Sequence, residues 1–275
     1  MRRLRRHPSA LFGLTLFSLI VAMSIVGAIS TPFDPTAFAT ADRLRPPSTT
    51  HLFGTDQFGR DIFSRILAGG HLTLLTGLLS VAVALLIGGV LGALGAYVGG
   101  AFDLAVVAVM DILLAFPAVL LALGIVAVLG ASGQNVIIAV GIANVPAFAR
   151  VTRASVLAVQ SRAYIKSAVA LGCSHVRILV RHILPNILGP VVVLAMMTTA
   201  TAILVGSTLS FLGLGAAPPT PEWGVMLSEA RSYMRLGWWL TVAPGVAIAV
   251  TVLALNLIGD GMRDVLDPTS TVRAS

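Results

Sequence analysis

The sequence contains a single lysine, Lys166, and lysine is the side chain on which nucleotide-binding loops depend. Such a loop reads G-x-x-x-x-G-K-[ST], because backbone N–H groups and the lysine together hold the phosphates. Lys166 follows Ile165 rather than glycine, so the motif is absent and ATP is expected to bind elsewhere. H-E-x-x-H and G-x-S-x-G are absent as well, which leaves an intramembrane enzyme poorly supported. Cys173 is the only cysteine; it excludes an intrachain disulfide and fits a small packing residue. Asp111 is the one carboxylate well inside an apolar run. Ionisable residues so placed face a bundle interior or a cavity, which leaves two roles open: a pore residue, or a hydrogen bond to a neighbouring helix.

The charges that remain are concentrated. Between Tyr164 and Asn186 the chain reads YIKSAVALGCSHVRILVRHILPN, with Lys166, His175, Arg177, Arg181 and His182 inside an apolar pattern. Ile165, Ala168 and Val169 share a helical face, and Gly172 is placed to end that helix. Ser174 is placed to cap a second helix, in which Val176, Leu179, Val180 and Ile183 repeat at helical spacing. Pro185 is expected to stop it. The stretch is therefore read as two short amphipathic helices with a bend. A solvated loop resting on the membrane, a DNA-binding helix-turn-helix and a knob docking into a cytoplasmic partner are the alternatives. Both ends are tied to apolar runs, which disfavours DNA.

The elements that must position these residues are membrane spans. Of the 275 residues 57% are hydrophobic and 11% charged, against about 25% charged in a soluble domain. Six runs approach the roughly 20 apolar residues a span needs: about 10–30, 73–98, 104–129, 134–157, 188–212 and 238–259. The first, from Ala10 to Ile29, outruns the roughly 7–15 residues of a signal-peptide core and is read as an uncleaved span. In the second, Gly88 and Gly92, and then Gly95 and Gly99, allow close helix approach. Pro117 is expected to kink the third. Asn144 and Pro146 interrupt the fourth, whose second half is expected to leave the hydrocarbon. Asn256 and Asp260 are read as fixing the end of the sixth, and Trp238 and Trp239 as interfacial residues opening it. Ile62, Ile66 and Leu67 suggest a short amphipathic surface helix leading into span two, without a ligand role.

With six spans both termini lie on one side. Placing Arg2, Arg3, Arg5 and Arg6 inside puts twelve Lys and Arg residues inside and six outside, the bias that sets orientation. The net charge of +7 thus reads as membrane orientation rather than nucleic-acid binding. The expected organisation is a cytoplasmic N-terminus, first helix and external segment (1–72), a five-helix core (73–260) with a cytoplasmic loop (158–187), and a cytoplasmic tail (261–275).

Residues 162–186, RAYIKSAVALGCSHVRILVRHILPN, resemble the cytoplasmic loop of binding-protein-dependent ABC importer permeases. That loop is marked by a Glu-Ala-Ala triplet, a later glycine and a Leu-Pro. Lys166, Ser167 and Ala168 stand at the triplet, Gly172 at the glycine, and Leu184-Pro185 at the end. The stretches FGTDQFGRDIFSRIL, MDILLAFPAVLLAL, LSFLGLGAAPPTPEWGVML and NLIGDGMRDVLDP resemble the dipeptide, oligopeptide and nickel subgroup. The resemblance implies an all-α type I permease fold of six transmembrane helices in a bacterial or archaeal inner membrane. It implies a second permease of similar kind, two ATP-binding subunits carrying ATP and Mg, and an external solute-binding protein, with no cofactor in this chain. Docking to the ATPase would fall to Tyr164, Lys166, Ser167, Ala168, Leu171, Gly172, Arg177 and Pro185. Lys166 departs from the family carboxylate. Peptides lead as the solute, with nickel or a nickel chelate and glutathione-type peptides as alternatives. An ATP-independent transporter is the rival class, and beyond Asp111 the chain offers it little intramembrane charge.

Overall fold

The computed structural model describes residues 8–266; the arginines at 2–6, Arg273 and the rest of the tail lie outside the described residues. Apart from one isolated bridge between Thr55 and Asp61, all regular structure among the described residues is helical. Helix α1 (Pro8–Ile29) is apolar on every side, as a lipid-exposed span must be. Its buried positions are small: Ala10, Gly13, Ser24 and Gly27. A Cβ on Gly13 would stand 2.7 Å from Leu257 Cβ, and one on Gly27 would overlap the Leu67 backbone. Lipid tails are as apolar as leucine, so association here rests on backbones approaching closely rather than on the hydrophobic effect.

Helix α2 (Ile62–Ala84), a π-helical turn (Leu85–Gly89) and α3 (Val90–Val98) form one rod. The separate surface helix expected before residue 73 is therefore its first turns, and Ile62, Ile66 and Leu67 are buried in the bundle rather than on its surface. Gly88 and Gly92 seat against the carbonyls of Val145 and Ala149, as their spacing suggested. Gly99 instead makes the turn into α4 (Gly100–Leu114) at φ +72, with no helix packed on it. Pro117 does more than kink the third span. It holds an extended ψ of 132 and starts α5 (Ala118–Leu129), which lies at 91° to α4.

Helix α6 (Gly133–Gln160) runs straight through Asn144 and Pro146. Asn144 does not interrupt it, because its amide donates to the Val140 carbonyl one turn back at 2.8 Å. Two short helices follow, α7 (Ala163–Ala170) and α8 (His175–Arg177), and then a second π-helical turn (Ile178–Ile183) leads into α9 (Leu184–Phe211). Pro185 therefore does not stop a helix; it sits in the first turn of a longer one. The Leu184 N–H donates five residues back to the Leu179 carbonyl. That widened turn makes room for a ring that an α-turn would push into the preceding carbonyl.

The chain ends with α10 (Trp223–Ala230) and α11 (Trp239–Leu266). Asn256 and Asp260 lie within α11, not at its end. Trp239 is not an interfacial residue: it is buried, and its indole N–H donates to the Thr55 carbonyl at 3.2 Å. Trp238 is exposed. Five helices, counting each continuous rod once, are long and apolar enough to cross a membrane, and the bent α4–α5 pair makes a sixth span. Helix α6 lies centrally, packed by α2, α3, α5 and α9, while α1 lies across α2 and α11.

Candidate functional site

The stretch 158–187 is built on a helix end. Gly172 has φ +76, a conformation that side chains with a Cβ resist. The Cys173 N–H donates to the Ala168 carbonyl at 3.1 Å and the Gly172 N–H to that of Val169 at 2.9 Å. This is the paired-bond helix terminus that a glycine at this place makes possible. Ser174 occupies the cap position of α8, but its side chain makes no capping bond.

The apolar stripes divide between two faces. Ile165, Ile178, Ile183 and Ile187 are buried with Ala93, Ala96, Val156 and Val159 and fasten the stretch to α3 and α6. Ile178 and Ile183 are five apart, and the π turn is what brings them to one side. Val169, Val176 and Val180 face outward, with Leu171 at 84% and Val176 at 72% exposure. Lys166, Arg177 and Arg181 alternate with these residues along the stretch, exposed and without an ion-pair partner among the described residues. Tyr164, Ser167 and Pro185 are also exposed, and Ala168 is half-buried. A further fastening escaped sequence reasoning: the Tyr97 hydroxyl lies 2.9 Å from His175 Nδ1 and donates to the His175 carbonyl at 3.2 Å.

Asp111 is not near this stretch. It accepts from Arg150 Nη2 at 2.6 Å, so the hydrogen bond to a neighbouring helix is realised. A second pair lies beside it, Asp103 gripped by Arg153 through two bonds of 2.7 and 2.6 Å.

At the far end of the α2–α3 rod, ~55 Å from Tyr97 at 1.5 Å per residue, lies a charge cluster that the sequence did not disclose. Arg60 and Arg65, each 1% exposed, both donate to Glu229 Oε2, at 2.9 and 2.8 Å. Arg60 also bonds Asp56, whose other oxygen accepts from the Phe58 and Arg60 N–H groups. Asp61 caps α2 by accepting from the Ser64 N–H at 2.8 Å, and its second oxygen meets His51 Nδ1 at 3.0 Å. Glu222 does the same for α10, accepting from the Gly224 and Val225 N–H groups and from Thr73. These carboxylates are occupied by structural partners.

Residues 84–272 match the family described as the binding-protein-dependent transport system inner membrane component, and residues 1–47 match the N-terminal transmembrane domain of oligopeptide transport permease C. A dipeptide transport system permease protein, DppC, of Alkalihalophilus pseudofirmus is 43% identical over 97% of this chain and 88% of its own length. A glutathione transport system permease protein, GsiD, of Pectobacterium atrosepticum is 44% identical over 97% of this chain and 89% of its own length. In fold, the chain is similar to a chain of the MetNI methionine ABC transporter in inward-facing conformations, with TM-score 0.61, 19% identity and coverage of 74% and 97% of the two chains. Matches spanning both the first helix and the whole core make this chain a member of the binding-protein-dependent inner membrane component family, the multi-pass permease subunits of ABC importers.

Proposed function

We propose that this permease carries peptides, and that residues 158–187 are where it receives the work of ATP hydrolysis. The carrying observation is the outward set of Val169, Leu171 and Val176, interspersed with the exposed Lys166, Arg177 and Arg181 and fastened from behind by the isoleucine cluster and Tyr97. Apolar side chains exposed to this degree among exposed cations suit an interface with a partner protein. The partner is an ATP-binding subunit with ATP and Mg bound on it. A full importer holds two such subunits, a second permease and an external solute-binding protein. Tyr164, Lys166, Ser167, Ala168, Gly172 and Pro185 shape and border the patch.

The peptide reading rests on relatives named for dipeptides and for glutathione, itself a small peptide. The Lys and Arg distribution supports a cytoplasmic placement of both termini and of 158–187, with 31–61 and 213–237 outside. The division into an N-terminal part, a core and a tail follows from that orientation, with the core starting at Ile62, where α2 begins, rather than at residue 73.

Leu171→Asp tests the docking. The side chain is 84% exposed, so folding and membrane insertion should be unchanged. Retention of the ATP-binding subunit on the immobilised permease should fall sharply. Full retention, with normal uptake, would remove 158–187 from the interface.

A further inference from the structure

The two ion pairs between α4 and α6 are not equivalent. Asp103 and Arg153 close on each other through both carboxylate oxygens, and the side chains are 15% and 34% exposed. Asp111 and Arg150 share one bond and remain 53% and 59% exposed. That leaves Asp111 Oδ2 and the Nε and Nη1 of Arg150 with no protein partner among the described residues. In front of them, between the helices, lies a cleft of about 340 Å³ lined also by Val106, Val107, Met110, Ala149 and Arg153.

Depth sharpens the contrast. The α3–α4 turn at Gly99 is at the docking-loop end, because Tyr97 bonds His175. Asp111 is twelve residues beyond it, or up to ~18 Å along the helix, with the uncharged apolar run 104–110 between them. A half-exposed charge pair at that depth cannot face lipid tails without a large desolvation penalty. Nor does an apolar partner helix suit it, since the unused donors and acceptor would be buried unpaired. The neighbouring surface of α4 and α5 shows the opposite character: Leu104, Ile112 and Leu120 are exposed and apolar. The charged strip is thus a polar line on an otherwise oily face, and water is what can cover it.

We infer that Asp111 and Arg150 form a station on a water-filled solute path, where the free carboxylate oxygen receives the ammonium and the free guanidinium edge the carboxylate of a small zwitterionic peptide. Asp103 and Arg153 are positioning residues that hold α4 against α6, with Arg153 forming one edge of the same cleft. The inference rests on the peptide reading above and adds the residues that meet the solute.

The test uses the assembled importer in nanodiscs, with Val107→Cys in a Cys173→Ser background and a charged, water-soluble methanethiosulfonate. The Val107→Cys thiol should react, dialanine should slow the reaction several-fold, and N-acetylalaninamide, equally bulky but without terminal charges, should not. In the neutral pair Asp111→Leu with Arg150→Met the thiol should still react, and dialanine protection should be lost. An unreactive thiol in the assembled importer refutes the water-filled path. Equal slowing by both compounds, or no slowing by dialanine, refutes charge recognition. These readings need only the native pair, so they stand even where the neutral pair fails to assemble. Failure of the peptide reading itself is seen separately, as no dialanine uptake by wild-type importer supplied with its binding protein.

Discussion

Glu229→Gln isolates the energetics of the buried charge cluster with almost no change of shape. In the native protein one carboxylate oxygen, Oε2, accepts from both Arg60 and Arg65. The guanidiniums are 1% exposed and Glu229 is 12% exposed, so water cannot replace what is lost. Substitution leaves two buried cations facing a single carboxylate, Asp56, which Arg60 bonds directly and which lies 3.8 Å from Arg65. Two hydrogen bonds to charged groups contribute about 1.5–3 kcal/mol each. Stranding a buried charge by removing its partner costs about 3–5 kcal/mol, and the two figures describe one loss, not a sum. The expected destabilisation is therefore about 3–5 kcal/mol, or a fall in Tm of about 10 °C at about 2–4 °C per kcal/mol for a chain of this size. Thermal unfolding of the purified permease in mild detergent reads it. Adding Arg65→Met to Glu229→Gln rebalances the charge and should recover a measurable part of the loss. An exposed surface pair would contribute only about 0–1 kcal/mol. A Tm shift of about 3 °C or less would therefore refute the claim that the cluster is a buried, closed network.

Gly172→Val should uncouple ATP hydrolysis from uptake while the protein still inserts, because φ +76 costs a β-branched residue about 1–2 kcal/mol and disturbs the turn that presents Leu171; normal coupling in the variant would count against the turn. Gly92→Leu should destabilise the fold by about 1–3 kcal/mol, since even a Cβ there meets the Ala149 backbone; an unchanged Tm would show that α3 and α6 can part. In a Cys173→Ser background, Ser48→Cys should react with an impermeant thiol reagent from outside and Ser161→Cys only after the membrane is opened; the reverse pattern would invert the orientation. Lys166→Glu should weaken retention of the ATP-binding subunit most at low salt, where screening is least. Equal retention of Lys166→Glu and wild type across a salt series would leave Lys166 as a solvated residue.

The spans were legible because lipid imposes a one-dimensional rule: about twenty apolar residues in a row have few other uses. Their ends were not, because an end is decided by charges, and whether a charge ends a span depends on its partner. The spacing of Ile62, Ile66 and Leu67 suggests a surface helix, and Arg60 and Arg65 are charges that an apolar count leaves outside span two. In the fold, Glu229 and Asp56 neutralise them, and α2 begins at Ile62. Nothing local signals a pairing between residues 65 and 229. Proline depends on distant support in the same way. Pro146 and Pro185 carry the local signature of a break, yet a helix supported by neighbours or widened by a π turn tolerates them. Pro117 did break the span, beside an unsupported turn where α5 leaves α4 at 91°.

The site shows the same division between local and distant information. Gly172 was readable because a helix terminus is written in its own few residues, and both of its bonds span at most five positions. The outward patch was half readable. Helical spacing correctly marked Val169, Val176 and Val180 as apolar, but it grouped them with Ile165 and Ile183, which turn inward. Periodicity can find an apolar stripe; it cannot say which stripe meets the protein's own bundle and which is left for a partner. In α7 the packing of Ile165 against the bundle separates it from Val169 one turn on, and beyond α8 the π turn at Ile178–Ile183 rotates the residues after it relative to an α-helical count. The same limit held for Asp111. Its depth in an apolar run was visible, and so was the need for a partner. That Arg150 supplies one hydrogen bond and leaves the rest of both groups open is a fact of side-chain geometry. That openness is what turns a helix–helix bond into a place where a solute's charges can exchange for water.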